Sequence, residues 1–80
     1  MKIPAIKKAV ETHSLNDLKA AENALYEELE MPIEVEGDDE GEKLTHVLAA
    51  IHIKEDMLHK GMDFKDALRA YTHRVRNSIN

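Results

Sequence analysis

The chain has 80 residues, 42% of them apolar and 34% charged, with no cysteine, no tryptophan and a formal net charge of −5. One domain, residues 1–80, is the ceiling at this length, and its core is necessarily small. Without cysteine there are no disulfides, thiolate zinc sites, iron–sulfur clusters or thiol nucleophiles, so stability has to come from helix packing, a partner subunit or a histidine/carboxylate metal site.

The first predicted helix runs from about Pro4 to Thr12, with proline in the first turn and Ile3, Ile6 and Val10 on one side. Ser14 opens a second helix, and Asp17 three residues on completes a capping pair. Leu15, Leu18, Ala21, Leu25 and Leu29 carry that helix towards an expected stop at Met31-Pro32. Residues 31–42 read as an acidic loop, in which Ile33 and Val35 alternate with Glu34 and Glu36 in the period of a short strand or an extended linker. A third helix is expected from about Glu42 to Lys60, ended by a left-handed Gly61. Asp63 starts a fourth, whose stripe of Phe64, Ala67, Leu68, Tyr71, Val75 and Ile79 fits only a helix. The fold class is therefore all-α, a compact bundle of four helices, the first short, with an acidic loop between helices two and three.

At ~100° per residue the third helix has two apolar groups. Leu44, Val47, Leu48, Ile51 and Leu58 share one sector; Ala49, Ala50, Ile53 and Met57 occupy much of the opposite side. Either three other helices cover both faces, or the second face meets another subunit. The second alternative predicts a homo-oligomer, a dimer by the commonest symmetry, with Ile53, Met57, Ala49 and Ala50 at its interface.

The same helix places His52, Glu55 and His59 on neighbouring turns, where two imidazoles and a carboxylate could converge on a cation. Glu22 on the second helix could add an oxygen, and Asp56 with His59 forms an Asp-x-x-His pair. These make a metal site the alternative reading. The loop acids fail the register of a calcium loop and read as a solvated or docking surface. Lys65, Arg69, His73, Arg74 and Arg76 on the last helix are cations that a helix C-terminus favours, and the acidic chain makes nucleic acid an unsuitable partner. Neither Ser14 nor Ser78 has a local nucleophile signature, so no catalytic residue and no cofactor is assigned.

The opening Met1-Lys2-Ile3-Pro4-Ala5-Ile6-Lys7 resembles the start of a family of short, uncharacterised bacterial proteins found in Bacteroidetes. Lys60-Gly61, Lys65-Asp66-Ala67-Leu68 and Arg74-Val75-Arg76-Asn77-Ser78-Ile79 are similar to that family's C-terminal segment. The resemblance implies a stand-alone cytoplasmic protein and carries over no functional residue. No secretory or membrane-spanning segment is read, which also fits a cytoplasmic protein without a membrane partner. The expectation is a non-catalytic protein-interaction module acting as a homo-oligomer.

Overall fold

The computed structural model describes residues 2–78, with side chains through Arg76. Four helices follow in order: α1 (Ile3–Thr12), α2 (Leu15–Tyr26), α3 (Glu40–Lys60) and α4 (Phe64–Ser78). Among the described residues there is no strand, and none of the helices is long and apolar enough to cross a membrane. The all-α bundle read from the sequence is the fold.

Local chemistry accounts for most of the helix boundaries. The Asp17 amide donates to Ser14 Oγ at 3.1 Å, the Glu42 amide to Asp39 Oδ1 at 2.7 Å and the Asp66 amide to Asp63 Oδ1 at 2.8 Å. Each bond satisfies an amide that the first helical turn leaves unpaired. Asp39 therefore caps α3, which starts at Glu40, two residues before the expected Glu42. At the other end Gly61 takes φ 65°, the left-handed stop expected of it.

The second helix is shorter than expected. It ends at Tyr26, not near Met31, because Glu28 turns the backbone left-handed at φ 57°. The Leu29 amide then donates to the Ala24 carbonyl at 2.8 Å, and the Glu28 amide to Leu25 at 3.4 Å. That pairing is a Schellman stop with glutamate where glycine would be unstrained.

At ~1.5 Å per residue the 21 residues of α3 span about 31 Å, the longest dimension of the molecule, which measures 31 × 29 × 20 Å. The other three helices pack on α3. Lys2, before α1, bonds His46, and Lys54 bonds Val10 and His13, so α1 lies parallel to the side of α3 that carries His46, Ala50 and Lys54. Lys19 near the start of α2 meets Glu55 at 3.7 Å, which sets α2 antiparallel on a second side. On the third side α4 packs with Tyr71 stacked on His52 and Arg74 bonded to Asp56. Ala9, Ala21, Ala24, Ala49, Ala50 and Ala67 are all buried, and these small side chains let the helices approach closely.

This arrangement explains the two apolar faces of α3. The Ala49, Ala50 and Ile53 sector lies between the sides taken by α1 and α4, and all three residues are fully buried within one chain. Met57 is half-buried against the same core. The chain itself thus covers Ala49, Ala50 and Ile53, which leaves these three with no exposed area for a second subunit, while Met57 keeps part of its surface.

Candidate functional site

Past the Glu28 reversal, residues 29–39 fold back along the start of α3 without regular secondary structure. Backbone bonds to side chains hold this segment in place. His46 is fully buried, with Nδ1 2.6 Å from the Glu36 carbonyl and Nε2 3.0 Å from the Lys2 amide. A carbonyl only accepts and an amide N–H only donates, so the neutral imidazole with its proton on Nδ1 satisfies both. His13 Nε2 lies 3.3 Å from the Glu34 carbonyl and adds a second, exposed tie. Between these ties Val35 enters the core. A Cβ at Gly37 would lie 2.7 Å from Lys43 Cγ and 2.9 Å from the Lys43 backbone nitrogen, so glycine is what lets the segment approach α3.

The fold-back leaves a groove of about 510 Å³ between the end of α2, the segment and the first turns of α3. Its apolar wall is Leu25, Leu29, Met31, Pro32, Ile33 and Val35. Val35 is buried and Leu25, Met31 and Ile33 are half-buried, whereas Leu29 is 60% exposed. Tyr26, one turn back on α2, is 62% exposed. Glu28, Glu34, Glu40 and Lys43 complete the lining, so three carboxylates and one ammonium edge an apolar wall. Such a concavity suits a chain that brings apolar side chains for the wall and polar groups for the edge.

The sequence-predicted metal ligands are not assembled into a site. His52 stacks its ring on Tyr71, centroids 5.6 Å apart, and Glu55 pairs with Lys19. His59 is exposed and Glu22 half-buried. Among the described residues no group of three or more histidine, aspartate or glutamate side chains is placed to hold a metal ion. Burial pushes the Tyr71 phenol above its ordinary range, and the nearby Arg74 charge partly offsets that.

The basic residues of α4 are divided between two roles. Arg74 donates to the buried Asp56 carboxylate at 3.1 Å, and Lys60 lies 3.6 Å from the other Asp56 oxygen. Lys65, Arg69 and Arg76 are exposed. Sequence reasoning missed the side chains that clamp α1 and the fold-back. Lys54 Nζ donates to the Val10 carbonyl at 2.8 Å and the His13 carbonyl at 2.6 Å, a cation on the C-terminal carbonyls of α1. The i, i+4, i+8 spacing of His46, Ala50 and Lys54 was legible as one helix side, but α1 as its occupant was not.

A family model described as "Family of unknown function (DUF6952)" matches residues 1–80. No curated protein and no solved structure matches the chain.

Proposed function

We propose that the chain, which belongs to this family of unknown function, is a non-catalytic protein-interaction module that holds a segment of another polypeptide in the groove between α2 and residues 29–39. The observation that carries this reading is Leu29. It is a large apolar side chain, 60% exposed, that follows a strained left-handed turn and lines a groove of mixed apolar and charged walls. Scattered exposed apolar residues are ordinary, but Leu29 lines, and Tyr26 adjoins, a concavity in which Leu25, Met31, Pro32, Ile33 and Val35 stand beside charged side chains. Covering them removes apolar surface from water at ~25 cal/mol per Å² and leaves the fold as it is.

A photo-cross-linking amino acid tests this at position 29, with Arg69 on the exposed face of α4 as the control position. Cross-linked chains are expected from position 29 and not from position 69. A product at twice the mass of the chain makes the partner a second copy; other masses assign another protein. Cross-linking from position 69 alone, or from neither position, overturns the reading. Leu29 is exposed, so its replacement leaves the core untouched.

A further inference from the structure

We infer that the occupant of the groove is a basic amphipathic segment of a partner protein, with lysine or arginine on one side and large apolar residues on the other. The inference rests on the interaction reading above and adds the chemistry of the partner.

Residues 27–42 contain nine of the sixteen acids in the chain and no base. Neighbouring lysines engage part of this charge on the side facing α1. Lys2 lies 3.6 Å from Asp38 and 3.8 Å from Glu42, and Lys8 lies 3.6 Å from Glu36. The acids edging the groove are different: among the described residues no ion pair reaches Glu28, Glu34 or Glu40, and Lys43 is the one base in the lining. Carboxylates around a concavity with an apolar wall focus a negative potential into it, which attracts cations and penalises an acidic chain. Glu28 strengthens the argument, because its backbone takes φ 57°. A glycine there would close the same turn without strain, and the residue present instead sets a carboxylate at the edge of the groove.

The apolar requirement disfavours the chain's own basic helix as the occupant. Lys65, Arg69 and Arg76 of α4 have the right charge, but Ala67 of that helix is buried and Leu68 and Tyr71 are packed on the core, which leaves Val75 as its exposed large apolar side chain. A second copy could offer these cations to the rim, but its other exposed large apolar side chains, Ile3, Tyr26, Leu29 and Leu58, lie on other elements.

The test uses the full chain and two labelled helical peptides of about 14 residues, roughly 21 Å long. One has leucine along one side and lysine on the other; its counterpart has glutamate for every lysine. Anisotropy titrations should show the leucine/lysine peptide binding at least about tenfold more tightly, with the difference shrinking as salt rises from about 50 to 300 mM. The triple variant Glu28→Gln, Glu34→Gln, Glu40→Gln should weaken it about tenfold. A triple of equal charge change elsewhere, Glu11→Gln, Asp17→Asn, Asp66→Asn, should stay within about twofold. Leu29→Ser with Met31→Ser should also weaken it, about fivefold or more, through the lost apolar contact.

Equal binding of the two peptides, or equal effects of the two triples, overturns the inference. So does a concentration-dependent dimer of the chain alone that the rim triple abolishes, since that gives the groove to a second copy. Cross-linking from position 29 with no preference for the basic peptide leaves the interaction reading standing and removes only the partner chemistry; loss of both results removes both.

Discussion

Removing the imidazole of His46 should cost more stability than any other single polar substitution in this chain. The ring is fully buried and makes a 2.6 Å bond to the Glu36 carbonyl and a 3.0 Å bond from the Lys2 amide. Truncation to alanine deletes both bonds, at ~1 kcal/mol each, and opens a cavity where the buried ring stood that adds ~2 kcal/mol. The sum, about 4 kcal/mol, compares with a total of ~4–12 kcal/mol for a domain of this size. Two variants dissect it. His46→Asn keeps a donor where Nδ1 stood, His46→Gln keeps an acceptor where Nε2 stood, and each should cost about 1–2 kcal/mol. Urea unfolding followed by circular dichroism at 222 nm reads the difference: with a slope of ~1 kcal/mol per M, the midpoint should fall by roughly 4 M for alanine and 1–2 M for the amides. A loss below about 1 kcal/mol for His46→Ala, or amide variants as damaging as alanine, would refute the tautomer and the clamp together.

Three further outcomes follow from the same geometry. Lys54→Met keeps the aliphatic stem but removes two bonds to the last carbonyls of α1, and should lower unfolding stability by about 2–3 kcal/mol in the same urea assay. Glu28→Gly relieves the left-handed backbone and should stabilise the chain by about 0.5–1 kcal/mol while removing one rim carboxylate, so that melting and peptide affinity move in opposite directions. In a Tyr26→Phe background, absorbance at 295 nm should place the Tyr71 ionisation above the ordinary phenol value of about 10. The unfolded chain then ionises first, so the stability held by the neutral phenol is complete below about pH 10 and disappears as pH rises through the folded value; a midpoint at or below 10 contradicts the burial of the ring.

Elements whose signal is local were legible in the sequence. Pro4, the Ser14–Asp17 and Asp63–Asp66 pairs and Gly61 act on neighbours within four residues, and the structure uses all of them as expected. The end of α2 was not legible, because Glu28 carries no mark of a left-handed conformation and the apolar period runs on through Leu29. Ile33 and Val35 alternate as a strand would, but no second strand supplies ladder bonds among the described residues, so the carbonyls of Glu34 and Glu36 go to histidines instead. The two apolar faces of α3 were visible from the periodicity; what covers them was not, since the bonds that dock α1 join residues 41 to 44 apart. The acidity of the groove's edge could be counted in advance. Its concavity depends on where the chain turns back, which only the fold shows.

Docking three helices on one divides the molecule energetically. The groove is built from α2, the fold-back and the start of α3, with α1 bracing it through Lys2 and His13. None of its lining comes from α4, which is attached through Asp56–Arg74, His52–Tyr71 and the apolar contact of Phe64, Ala67, Leu68 and Tyr71 with the core. A fluctuation that frees α4 therefore removes none of the groove's lining, although it uncovers the core on the Ala49–Ile53 side of α3. If a ligand binds as proposed, it should protect α1, α2 and α3 more than α4.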